Sequence, residues 1–286
     1  MKKANKIIIA AATIVLVVSA LFFVLRLKST QSVLVENFSL LDTVYLSVED
    51  PDLGNMTIEL NVDFPVNHAD ENVLSNLKSS IISKLFGDDF TDCPEDSLLK
   101  AYAAFLGKEY IDNNADFAKR ITEGSLLSFD NAIILDASAL YDDQHIFSYE
   151  ISWFFDFGGA HPNSAHFFYN FDLEDGSIIT EDEIFIEGYQ AELTAIIKSK
   201  LLSDLNVDED TDHMTTLEEF NYWPEDIKPN GNFYIHKEAI TYVFNPYEIA
   251  PYYMGETEVI LPYQLIAHLM KSGNPLEYLV VGKGDK

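Results

Sequence analysis

The sequence predicts an α+β fold in which antiparallel sheets carry packed helices in two associated subdomains, preceded by one N-terminal transmembrane helix. Three observations lead there. Met56, Ile58, Leu60, Val62 and Phe64 alternate with Thr57, Glu59, Asn61 and Asp63, the period-two pattern of a half-buried strand. Val73, Leu74, Leu77, Ile81, Ile82 and Leu85 recur instead at helical spacing. Strand-like and helix-like stretches follow one another in runs, with no repeat, which suits α+β.

Taken in order, the chain opens with residues 7 to 25, which carry no charge. As a helix they would span roughly 28 Å, close to a hydrocarbon core. Lys2, Lys3 and Lys6 precede this stretch and favour a cytoplasmic N-terminus, against Arg26 and Lys28 on the other flank. The rival reading is a signal peptide cut near Val18, Ser19 and Ala20. In both readings the folded part lies outside the cytoplasm, periplasmic or extracellular, and the anchor reading makes the chain a single-pass protein of the cytoplasmic membrane. The expected organisation is an anchor over 1–28, one subdomain over 29–164 and a second over 165–286.

Residues 33–48 form a β-rich stretch expected beside the 56–64 strand, and a second helical region runs from Glu95 to Ile121. Strands return at 132–135 and 145–157, where Phe147, Tyr149, Ile151, Trp153, Phe155 and Phe157 share a face. Gly158 to Ser164 then breaks the pattern and 165–173 resumes it, an antiparallel hairpin with a long loop. Thr180 with Glu183 has capping-box spacing, and Tyr189 to Leu205 is amphipathic. Two strands follow within 232–244 and another at 257–261, and Pro262 suits the first turn of a last helix reaching Met270.

The formal net charge is −29, and beyond residue 30 the chain holds 13 basic against 47 acidic residues, a balance of −34. That charge repels phosphate backbones, so no nucleic-acid partner is expected, while a basic protein would be attracted and steered. Cys93 is the one cysteine, which rules out an intrachain disulfide or a cysteine zinc cluster.

Two segments carry the recognition reading: Phe157 to Asn163, with His161, Pro162 and Asn163, and Asn245 to Tyr253, with Asn245, Tyr247, Glu248, Pro251, Tyr252 and Tyr253. Proline restricts the backbone, and tyrosine offers rigid amphipathic contact area at low entropic cost. Packing of the same tyrosines on the domain's own sheet is the alternative. His161 is open to three roles: bracing its loop, contacting a ligand, or catalysis or metal binding.

The stretches GGAHPN (158–163), FDLEDG (171–176), IKPNGNFYI (227–235) and FNPYEIAPYYMGETEVILPYQL (244–265) together resemble a pair of domains of unknown function. That pair occurs in the ectodomains of lysozyme-sensing anti-sigma factors (RsiV type) and in the accessory region of a peptidoglycan deacetylase. The resemblance implies a two-part α+β fold, an extracytoplasmic position and a binding role, with a lysozyme-like protein or a cell-wall glycan as ligand. Neither the sigma-binding cytoplasmic region nor the metal-dependent catalytic domain of those proteins is matched. The function expected is therefore a membrane-anchored binding module without a cofactor. The alternative is a cell-wall hydrolase or esterase centred on His161.

Other motifs are weaker. Asp208, Asp210, Asp212 and Glu219 stand at positions 1, 3, 5 and 12 of a calcium loop, but His213 occupies the position that needs glycine. Ser75 and Lys78 match SxxK and Lys271 to Gly273 reads KSG, but the intermediate motif of that enzyme class is absent. His161 and His166 could close on a metal only with further ligands.

Overall fold

The computed structural model describes residues 32–118, 129–207 and 213–281. The expected anchor over 1–28 and Asp208, Asp210 and Asp212 of the calcium reading lie outside these residues. Among the described residues no helix is long and apolar enough to cross a membrane.

The order of elements is β1 (Leu34–Tyr45), β2 (Asn55–Asn67), α1 (Glu71–Phe86), α2 (Glu95–Ala118), β3 (Asn131–Asp142), β4 (Ile146–Asp156) and β5 (Asn163–Asp172), followed by a second half. That half comprises α3 (Glu181–Ile184), α4 (Gln190–Asp204), α5 (His213–Glu219), β6 (Phe233–His236), β7 (Ala239–Phe244), β8 (Thr257–Pro262), α6 (Tyr263–Ile266) and α7 (Glu277–Val281). The class is α+β, with a five-stranded sheet in the order β1-β2-β3-β4-β5 and a three-stranded sheet in the order β6-β7-β8.

The alternation read from β2 is realised: Met56, Ile58, Leu60, Val62 and Phe64 are all buried. They meet Val73, Leu77, Ile81, Ile82 and Leu85 of α1, and Leu98 and Tyr102 of α2, in the first core. Asp70 caps α1 by accepting a bond from the Asn72 N–H at 2.8 Å. The second core gathers Leu193, Ile197 and Leu201 of α4 against the inner face of β6, β7 and β8.

Three expectations need correction. The sheets are not wholly antiparallel, because β2 and β3 pair in parallel. The long α1–α2 crossover returns the chain to the same end of the sheet, which a hairpin cannot do. Secondly, β5 hydrogen-bonds along its length to β4, so the first sheet runs on to Asp172, past the expected division at 164/165. Finally, the helix after Pro262 is one α-turn, and Ala267–Leu269 continues as a 3-10 turn.

β5 and β6 lie at the edges of separate sheets, and side chains join them. Asn170, buried in this seam, accepts from the Ile235 N–H at 2.8 Å and donates to the Phe233 carbonyl at 2.8 Å. The Ser148 hydroxyl lies 2.8 Å from both Asn170 Oδ1 and the Ile235 carbonyl. Asn232 accepts from the Phe168 N–H at 3.0 Å and donates to the His166 carbonyl at 2.9 Å. Edge groups that a neighbouring strand would otherwise pair are thus satisfied by amides.

Candidate functional site

The two candidate segments meet. The hairpin between β4 and β5 turns at Gly158, whose N–H is bonded to the Asp156 carboxylate at 3.0 Å and whose φ of 71° suits glycine. Beyond it the His161 ring stacks on Tyr252, with centroids 3.9 Å apart and planes 21° from parallel. Tyr247 completes the cluster, 5.5 Å from Tyr252 and 6.4 Å from His161 between centroids. The Tyr252 hydroxyl donates to the Pro162 carbonyl at 2.7 Å, across 90 residues of chain.

Both imidazole nitrogens of His161 are engaged. Nδ1 lies 2.8 Å from the Pro162 carbonyl, which can only accept, so Nδ1 carries the proton. In the neutral ring Nε2 is then an acceptor, and it sits 3.3 Å from the Tyr247 hydroxyl. Among the described residues no carboxylate bonds this ring. Its partners are a carbonyl and a phenol, an arrangement that braces a loop and displays aromatic faces.

Segment 245–256 is built to hold its rings. Asn245 to Glu248 forms a β-turn closed by the Glu248 N–H on the Asn245 carbonyl at 3.0 Å. Pro246 occupies the first central position, as its fixed φ favours. Tyr247 occupies the second with φ 71°, where glycine is usual. A tyrosine held there costs about 1–2 kcal/mol. Ile249 and Ala250 are buried in the second core and pin the middle of the segment, and the Trp223 N–H bonds the Ile249 carbonyl at 2.7 Å. Pro251 leads into the 3-10 turn Tyr252–Met254.

The anticipated residues divide by exposure. Tyr253 is 70% exposed and Tyr247 51%, and His161 and Glu248 are also open. Tyr252, Pro162, Asn163 and Pro251 are half-buried. Asn245 is buried and spent on structure: its Oδ1 takes the His166 N–H at 2.6 Å and its Nδ2 donates to the His166 carbonyl at 2.9 Å. Asn163 accepts from the Ser164 N–H and opens β5. Glu248 takes the Asn230 amide at 3.0 Å at the rim of a cleft of about 220 Å³ that Asn232 and Phe167 also line.

A pairing that sequence reasoning missed, of His166 with two glutamates, lies just behind. His166 Nδ1 is 2.8 Å from Glu150 on β4 and 3.8 Å from Glu256 at the end of the loop. The hydrogen bond to Glu150, with the charges of Glu256, Glu150 and Glu258, outweighs burial and raises the imidazole above its ordinary value. Burial, with Glu258 and Glu150, raises the Glu256 carboxyl against the pull of His166. The signal was a histidine and a glutamate on facing strands, both off the apolar stripe, but only the strand register brings them together.

The weaker motifs gain nothing. Lys78 pairs with Glu95 at 2.7 Å. Glu219 closes α5. Cys93 packs half-buried against the first core. Among the described residues no group of three or more His, Cys, Asp or Glu side chains is placed to hold a metal ion.

Residues 182–264 match the family model described as "Protein of unknown function (DUF3298)". A search of curated proteins gives no match. Among solved structures, a member of the DUF3298 family from Bacteroides fragilis NCTC 9343 superposes with a TM-score of 0.78 at 24% identity, over 88% of this chain and 99% of that one. A DUF3298 family protein from Pseudomonas aeruginosa PAO1 gives 0.55 at 17% identity, over 85% and 97%. Both are likenesses of fold. The chain carries a DUF3298 domain over 182–264, which includes the Asn245–Glu256 half of the candidate site, and shares its architecture with DUF3298 family proteins of two bacteria.

Proposed function

We propose that this chain is a binding module, held outside the cytoplasm by a membrane helix at residues 7–25, that recognises a basic, lysozyme-like protein through the face of His161, Tyr247, Tyr252 and Tyr253. The observation that carries the reading is the meeting of two distant loops in one stacked, partly exposed aromatic cluster. Rigid aromatic anchors of this kind supply most of the energy in protein interfaces. The charge of −29 adds long-range attraction for a basic ligand. The resemblance of segments 158–163 and 244–265 to lysozyme-sensing ectodomains supports the same ligand class.

A second reading, a cell-wall glycan, is favoured by one feature: the rings of His161, Tyr252 and Tyr247 lie within 21–30° of parallel, a surface on which sugar rings can stack. A hydrolase centred on His161 draws no support from the ring's partners. The test is titration calorimetry with a basic lysozyme and, separately, with a soluble chitooligosaccharide. Tyr252→Ala and Tyr253→Ala should each weaken binding of the true ligand by about tenfold or more. Undiminished binding by both variants would remove the aromatic face from the function.

A further inference from the structure

Segment 245–256 is fastened at both ends to one residue. At its start, the Asn245 amide clasps the main-chain N–H and carbonyl of His166, at 2.6 and 2.9 Å. At its end, Glu256 Oε2 lies 3.8 Å from His166 Nδ1. That oxygen is sealed from solvent and has no hydrogen-bond partner among the described residues, so the His166 ring, when protonated, supplies its compensating charge. The ring itself is aimed by Glu150 at 2.8 Å. Between the two fastenings lie Tyr247, Tyr252 and Tyr253.

We propose that His166 is the positioning residue of the binding loop: its main chain fixes the Asn245 end, and its imidazolium, oriented by Glu150, fixes the Glu256 end. This rests on the loop being the recognition surface proposed above. Among the described residues the titratable groups facing the ring are Glu150 from β4, Glu256 at the end of the loop and Glu258 in β8. Tyr234 of β6 stands beside them, its hydroxyl 3.5 Å from Glu258.

The sign of the pH dependence follows from the two groups. His166 is raised, so its anchoring charge is present at and below the ordinary imidazole range and is lost as pH rises through its elevated folded value. Glu256 is also raised, so its negative charge is lost as pH falls through a value above the usual carboxylate range. The loop is held best between those two points. Above the window Glu256 keeps a buried oxygen with no compensating charge, and below it the pair is neutralised from the carboxyl side.

The test measures lysozyme affinity of the full chain between about pH 6 and pH 9, starting near the ordinary imidazole value of about 6.5. Wild type should lose between about 1.5-fold and 5-fold in affinity across that rise, the range for one partly exposed ion pair. His166→Gln, which keeps the main-chain bonds to Asn245, should show the weaker alkaline affinity throughout, and Glu256→Gln should be flat as well. His166→Lys, with a charge that persists, should retain the stronger affinity at the alkaline end. A merely structural residue would move the melting temperature without this pattern. A flat wild-type profile, or His166→Gln keeping the wild-type slope, would overturn the proposal.

Amide hydrogen exchange across residues 245–256 needs no ligand and separates the two ideas. Compared at matched pH, wild type should be better protected than His166→Gln near neutrality and equal to it at the alkaline end. If exchange behaves so while no lysozyme binds, the loop anchor stands and the recognition reading falls. Equal protection at every pH overturns the anchor whatever binds.

Discussion

Replacing Asn170 by alanine is the sharpest test of how the two sheets are joined. Asn170 is 2% exposed, and its amide serves the Ile235 N–H and the Phe233 carbonyl on the edge of β6. Both are buried main-chain groups whose own sheet offers no neighbour on that side, since β6 is an edge strand. Truncation leaves one donor and one acceptor unpaired, each costing about 1–3 kcal/mol. The Ser148 hydroxyl keeps its bond to the Ile235 carbonyl and rescues neither. Allowing for partial relief by water entering the space, the loss should be about 2–4 kcal/mol. Urea unfolding followed by circular dichroism measures it from the shift in midpoint at constant slope. Asn170→Asp should cost at least as much at neutral pH, because it loses the donor to Phe233 and buries a charge. A loss below about 1 kcal/mol for Asn170→Ala would refute the claim that this amide carries the seam.

Two further predictions concern strain and charge. Tyr247→Gly should raise stability by about 0.5–1 kcal/mol, because glycine takes φ 71° freely, while weakening ligand binding by removing an exposed ring. A fall in unfolding midpoint would show that the Tyr247 side chain contributes more than its backbone costs. For Asp143, burial pushes the carboxyl up, but bonds from the Tyr278 and Tyr141 hydroxyls and from the Ile146 and His145 N–H groups outweigh it and hold it below the usual range. Its stabilisation is therefore full above about pH 3.9 and lost as pH falls through the lower folded value. Asp143→Asn should cost about 1–2 kcal/mol near neutrality and flatten the acid limb of the stability profile. An acid limb of unchanged depth in that variant would count against the assignment.

What was readable from the chain and what was not divide along a physical line. The period of burial along β2 and α1 was readable because it depends only on local backbone geometry, and the predicted apolar faces are the buried ones except at Leu74, which is half-buried. Strand partners were not readable in the same way. Nothing within β2 says that it accepts β3 in parallel, since that follows from where the α1–α2 crossover delivers the chain. Asn170, Asn232 and Asn245 were hardest, because asparagine near a strand end looks like a turn residue until an opposing edge is in view. For the candidate site, the proline and tyrosine content picked out two loops that the fold brings into contact. The order of stacking, with His161 on Tyr252, and the engagement of His166 with Glu150 and Glu256 depend on register across β4, β5 and β8.

The seam also explains why recognition would arise at this place in the fold. Two sheet edges joined through amide side chains, instead of by a shared strand ladder, leave the connecting loops emerging between two separately packed cores. The loop after β7 is tied to the second core by Ile249 and Ala250 and to the first sheet by Asn245 on His166. The hairpin before β5 is tied back to it by Tyr252 on Pro162. Each tie orders a tyrosine before any ligand arrives, so the entropic cost of fixing those side chains is met during folding and need not be met again on binding. A ligand docking on the proposed face would gain from contacts already in place. By the same reasoning, substitutions at buried Asn245 or half-buried His166 should weaken binding through looser loops.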